Sequence, residues 1–179
     1  MSGENTQNTE NTENAENTVV RLRAPKNAVD RRAVTWWTVQ ALLEVGPVVV
    51  VLGVLAALLP DARGWLLAGL ALVVVLGVPY VVIMPRWRYR VHRWEDTDEA
   101  VYARSGWVWQ EWRVAPMSRI QTVDTARGPL QQYFRLSTLT VTTASAKGAI
   151  KIDGLDHELA ADLVVRLTAI AQANPGDAT

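Results

Sequence analysis

Three groups of side chains in this sequence are of types that do chemistry. The first is Glu44, a carboxylate inside an apolar run from Thr38 to Leu59 that also holds Gln40 and the pair Gly46-Pro47. A carboxylate kept within a bilayer is costly, and it marks an ion or proton path unless it reaches the interface or pairs with an arginine. The second is the arginine cluster Arg86, Arg88, Arg90 and Arg93, with Arg113 further on. Guanidinium groups so closely spaced bind the phosphates of anionic lipid, or act simply as a topology signal. The third is Arg119, between Pro116 and Ile120-Gln121. It suits a lipid phosphate or a partner carboxylate, or an internal bond that fixes the turn around it.

None of these makes a catalytic set. The sequence has no cysteine, so it offers no thiolate nucleophile or metal ligand. Its two histidines are His92, in the arginine-rich stretch, and His157, between Asp156 and Glu158. Three consecutive helical positions point in different directions and do not converge on one ion. Ser118 has no base near it in sequence, and no glycine-rich loop is spaced for phosphate. The expectation is therefore no catalytic residue, no metal site and no cofactor. A net charge of zero gives a nucleic-acid partner no electrostatic support.

The elements that hold these residues begin with Trp65–Met84, 20 residues without a charge. As a helix it extends about 30 Å, the thickness of a hydrocarbon core. The run before it spans only by including Gln40 and Glu44 near its start, and Gly46-Pro47 is expected to bend it. The spans are set at about 38–59 and 65–84, within a membrane region of 36–84. The five residues Pro60–Gly64 between them allow only a tight antiparallel hairpin. Trp36, Trp37, Trp65 and Trp87 fall where an aromatic belt would anchor the two ends. Lys26, Arg21, Arg23, Arg31 and Arg32 form a basic collar before the first span, one arginine lies in the connector, and the four-arginine cluster follows the second. By the positive-inside bias, both termini are cytoplasmic in a multi-pass protein of the cell membrane. Ahead of the collar, five Glu-Asn-Thr-like tripeptides over residues 4–18 cannot bury enough surface to offset ordering, so residues 1–30 are expected to be a disordered tail with its collar.

From Arg86 on, the hydropathy alternates. Arg86–Arg93 reads as a first strand, Glu95–Glu99 as an acidic turn, Ala100–Arg104 and Trp107–Val114 as strands about a turn at Ser105-Gly106. Trp107 and Trp109 share a strand face, with Trp94 and Trp112 nearby, and are expected to fill a small core or, if exposed, to form an apolar contact site. Ile120–Thr125, Ser137–Thr143 and Ala149–Ile152 are β-branched runs. Gly128–Phe134 reads as a turn that opens one helical turn. Leu159, Leu163, Leu167 and Ile170 give the segment 156–172 one apolar stripe, so the chain ends in an amphipathic helix stopped at Asn174-Pro175-Gly176.

The stretches Pro116–Asp124, Gly128-Pro129-Leu130 with Tyr133-Phe134, Leu139–Thr143, and Ile152-Asp153-Gly154-Leu155 together resemble the YdbS-like bacterial PH domain membrane proteins. The paired spans and the small-residue loop Ala144–Gly148 agree with that pattern, so the likeness covers about residues 30–172. One departure is Arg135-Leu136, where the family commonly has a glycine. The resemblance implies an α+β protein: a two-helix transmembrane hairpin, then a cytoplasmic PH-like β-barrel over residues 86–172, made of two antiparallel sheets with a C-terminal helix. It implies no reaction. The expected role is a non-catalytic interaction module at the inner leaflet that assembles with itself, with other membrane proteins or with membrane lipids. Anionic headgroup binding and an accessory role in a transport or envelope-stress complex are the alternatives.

Overall fold

The computed structural model describes residues 25–144 and 148–173. The Glu-Asn-Thr tail, Arg21, Arg23, part of the 144–148 loop and the Asn174-Pro175-Gly176 stop lie outside them. The membrane hairpin is two long helices, α1 (Arg32–Leu58) and α2 (Arg63–Val91). In their most apolar stretches only 11% and 6% of residues are buried. Surfaces so apolar and so open belong in lipid, and these helices are not the core of a water-soluble fold. They approach closely where Gly77 faces Val45; a Cβ on Gly77 would lie 2.8 Å from Val45 Cγ1. Small residues at such crossings let two transmembrane helices pack.

Both helices are longer than the expected spans, and the excess is at the domain end. Arg86–Arg93 is not a strand: α2 continues through Pro85 to Val91, and β2 (Arg93–Asp96) starts only at its last residue. The alternation Arg-Tyr-Arg-Val imitates a strand period, yet Met84, Arg88 and Val91 recur at helical spacing, and Met84 and Val91 are buried. Pro47 likewise sits inside α1 without ending it.

The domain has two antiparallel sheets. One is ordered β1-β2-β3-β4, with β1 Asn27–Ala28, β3 Ala100–Gly106 and β4 Gln110–Pro116. The other is β5-β6-β7, with β5 Ile120–Ala126, β6 Leu136–Thr143 and β7 Ile150–Asp156. The sheets are not joined into one closed ladder. A short helix α3 (Pro129–Tyr133) precedes β6, and α4 (His157–Ala173) packs Ala160, Leu163 and Leu167 onto the sheets. Residues expected to belong to the tail are structural: Asn27 pairs with Trp94, Ala28 with Arg93, and Val29 is buried. Arg135 has φ 54°, in the left-handed region. At such a φ a Cβ costs about 1–2 kcal/mol, a cost that glycine avoids.

One hydrophobic core runs through all of this. It joins Ala33 and Trp37 of α1 to Trp94 and Val101 of the first sheet, Leu136, Leu139 and Leu155 of the second, and Leu163 and Leu167 of α4. The hairpin and the domain are therefore not two bodies joined by a linker.

Candidate functional site

The polar groups that converge most closely lie where the hairpin enters the domain. Ala33, Trp37 and Ala41 recur every four residues and form the buried face of α1. Gly154 of β7 meets that face. Its φ is +77°, and a Cβ would lie 2.7 Å from Ala33 Cβ, so only glycine allows strand and helix to approach this closely. The Asp30 backbone N–H donates to the Gly154 carbonyl at 2.9 Å, which holds the start of α1 against β7.

Around this contact are two charged clusters. In the first, the Arg88 guanidinium of α2 lies 4.6 Å from the Trp37 ring centre and donates to Asp153 Oδ2 of β7 at 3.1 Å. Thr138 Oγ1 donates to Asp153 Oδ1 at 3.0 Å, Gln131 Nε2 donates to Thr138 Oγ1 at 2.8 Å, and the Gly128 N–H donates to Gln131 Oε1 at 2.9 Å. The chain of bonds ties α2 to β7, β6 and α3. His92, at the end of α2, is buried with its ring 5.2 Å from that of Trp37. Burial, aided by the positive charge of Arg88, pushes its pKa down to about 4, so the imidazole is neutral.

In the second cluster, Arg32 Nε and Nη2 donate to the two carboxylate oxygens of Asp30 at 3.0 Å each, and Arg32 Nη2 also bonds Asp156. The bond from Arg32 holds Asp30 below the usual carboxylate range. For Asp156, burial acts in the opposite sense but is outweighed by Arg32 and by the Leu159 and Glu158 backbone N–H groups, so it too is lowered. Asp156 thus caps α4 and anchors α1 together. An open cleft of about 530 Å³ lies beside it, lined by Arg32, Arg127, Arg135, His157 and Glu158 among others.

The residues singled out in the sequence separate into different places. Trp37 is not at a lipid interface: it is fully enclosed, because Ala33 and Gly154 make room for its ring against the domain. Trp36 is half-buried beside it, while Trp65 and Trp87 are exposed. Of the arginine cluster, Arg88 is engaged at the junction and Arg93 is half-buried in β2. Arg86 and Arg90 are exposed, and with Val82, Ile83 and Trp87 they line a shallow groove of about 240 Å³ on α2. Arg113 donates to the Ala149 carbonyl at 3.0 Å, bridging the two sheets. Arg119 is exposed in a turn of 3-10 helix, away from both clusters, and its carbonyl accepts from the Ala144 N–H. Glu44 accepts a hydrogen bond from Tyr80 Oη of α2 at 3.1 Å, a link between the helices.

Trp107 and Trp109 do not fill the core. β4 begins at Gln110, and residues 107–109 are the turn that precedes it. The core aromatic of this sheet is Trp94, while Trp112 lies under the Arg104 guanidinium at 4.9 Å. Ser137 Oγ lies 3.4 Å from His157 Nδ1, and Ser137 is fully buried. Among the described residues, no three His, Asp or Glu side chains are placed to hold one metal ion. Sequence reasoning missed the roles of Asp30, Asp153 and Gly154. Their partners are distant in sequence, and only the Ile-Asp-Gly-Leu motif hinted that the strand is special.

The comparisons with known proteins agree with this architecture. The chain is 28% identical over 130 residues to the UPF0699 transmembrane protein YdbS of Bacillus subtilis (strain 168), an alignment that covers 70% of this chain and 81% of that protein. No solved structure matches. The family model described as the bacterial PH domain matches residues 43–170, from within α1 to the last turns of α4. Most of the helical hairpin and all of β2 to β7 fall inside one family match, with β1 and the first turns of α1 ahead of it, and the chain belongs to the bacterial PH domain family.

Proposed function

We propose that the protein is a non-catalytic platform of the cell membrane, in which two spans hold a PH-like domain on the cytoplasmic side, at a fixed attitude to the inner leaflet, for binding to copies of itself or to partner membrane proteins. The observation that carries this reading is the shared core: Trp37 of a transmembrane helix is 0% exposed because the domain encloses it. A domain on a flexible tether searches space, whereas one fixed to its anchor presents a chosen surface. That surface includes β5, a sheet edge with Gln121, Thr122, Asp124 and Thr125 exposed, which suits addition of a partner strand. The polar clusters support a structural role over a catalytic one, since Arg88, Asp153, Arg32 and Asp156 already bond one another. The arginine asymmetry about the connector supports the cytoplasmic placement of both ends.

Crosslinking in native membranes, followed by purification in mild detergent, tests the proposal. Recovery of dimers or of a specific partner membrane protein is expected; recovery of monomers alone contradicts it. A second reading, binding of anionic headgroups, is favoured by the exposed pair Arg86 and Arg90 around the α2 groove. Under it, the R86Q/R90Q double variant in mixed-lipid nanodiscs retains less anionic lipid than the wild type. Equal retention removes this reading.

A further inference from the structure

We infer that the β3–β4 turn, Trp107-Val108-Trp109, is immersed in the leaflet nearest the domain, as a third membrane contact in addition to the two spans. The topology aims it there. β2 leaves the end of α2 and runs away from the membrane, with Arg93 opposite Arg104 and Asp96 opposite Val101. β3 runs back, and continues past the start of β2: Ser105 and Gly106 pair only with β4. The turn therefore returns alongside α2, and the Trp107 ring packs edge-on against Tyr80 at 6.0 Å between centres.

Tyr80 belongs to the apolar part of α2. It lies six residues, or about 9 Å of helical rise, to the membrane side of Arg86, the first charge after the span. A ring in contact with Tyr80 is thus within the zone that α2 assigns to the acyl–headgroup boundary. The turn's composition fits that zone. Trp107, Val108 and Trp109 are 42%, 63% and 86% exposed, an apolar patch continuous with the open surface of the helix. Polar groups stand behind it, where headgroups would be: Arg104 bonds Gln110, and Arg113 pairs with Glu111. Tryptophan prefers this boundary because its ring is apolar and its N–H finds a polar partner there. The turn is also built to keep its shape. Gly106 has φ +105°, and a Cβ there would lie 1.8 Å from the Trp109 carbonyl oxygen, so only glycine permits the tight reversal.

The occupant is lipid, because the patch is continuous with a helix surface that already faces lipid. This inference rests on the transmembrane hairpin and not on the partner-binding proposal. The absence of native cysteine allows a direct test on the full-length protein in bilayers. Spin labels are placed singly by V108C and W109C, with L76C on the lipid-exposed face of α2 and D98C in the β2–β3 turn at the opposite end of β3 as references. Labels at both turn positions are expected to show a ratio of oxygen to nickel-chelate collisions between those of the L76C and D98C labels, and to contact the water-soluble nickel chelate several-fold less than the D98C label. Chelate contact equal to that at D98C places the turn in water and overturns the inference. Low collision with both probes places it under protein and overturns it equally.

Discussion

The two ends of the helical hairpin carry the same residue type to opposite fates. At the connector end, Trp65 is 86% exposed. At the domain end, Trp37 is enclosed by Ala33, Gly154, Arg88 and His92. The difference teaches that a tryptophan at the edge of an apolar run is not by itself an interface anchor. The solvent of one end is lipid and headgroup, and that of the other is a folded domain. A small residue one turn before it on the helix, and a glycine on a distant strand, decide between them.

The largest effect that sharpens this contrast is the loss of the buried ring. Trp37→Ala is expected to destabilise the folded protein by about 3–5 kcal/mol, while Trp65→Ala costs less than about 1 kcal/mol. Thermal unfolding of both variants in detergent checks the pair; equal losses would erase the distinction between the ends.

Next is a pH effect confined to the domain end. His92 has a folded pKa of about 4 against an ordinary 6.5, so the unfolded chain takes up the proton first. Its contribution is complete above about pH 6.5 and is lost as the pH falls towards 4, roughly 3 kcal/mol in all. Unfolding measured across that range is expected to flatten in H92Q relative to the wild type; parallel curves would contradict a buried neutral imidazole.

The Arg88–Asp153 pair is next in size. Both side chains are about a quarter exposed, so R88A, D153A and the double variant are expected to show coupling of about 1–2 kcal/mol. Additive losses in that cycle would mean that the bond does not hold α2 to β7. The smallest effect is away from the hairpin. Arg135→Gly removes left-handed strain but adds freedom to the unfolded chain, so stability is expected to stay within about 1 kcal/mol of the wild type. A large loss would show that the arginine side chain does more than occupy a turn.

Much of this architecture is legible in the sequence because its causes are local. The uncharged run Trp65–Met84, the five-residue connector and the pair Leu163 and Leu167 each follow from residues close in the chain, although Leu159, expected on the same apolar stripe, is exposed and Ala160 takes its place on the buried face. What the sequence hides is non-local or has two periods at once. Arg86–Arg93 alternates like a strand, but Met84, Arg88 and Val91 also align on a helix, and packing against the domain selects the helix. Gly154 and Ala33 are far apart in sequence, so nothing local marks Trp37 as a core residue. Trp107 and Trp109 look like one face of a strand, whereas the left-handed Gly106 puts them in a turn. Of the arginines that stand out in the sequence, Arg88 and Arg32 enter the polar clusters, and nothing local marks the carboxylates they bond.

The central claim is that the hairpin and the domain move as one body, and pulsed dipolar spectroscopy in bilayers tests it most directly. Spin labels at L58C, at the connector end of α1, and V165C, on the exposed face of α4, report the distance between anchor and domain. The shared core predicts a single narrow distance distribution that broadens when Trp37→Ala is added. A broad distribution in the otherwise unaltered protein would mean that the domain swings on its spans, and would contradict the account.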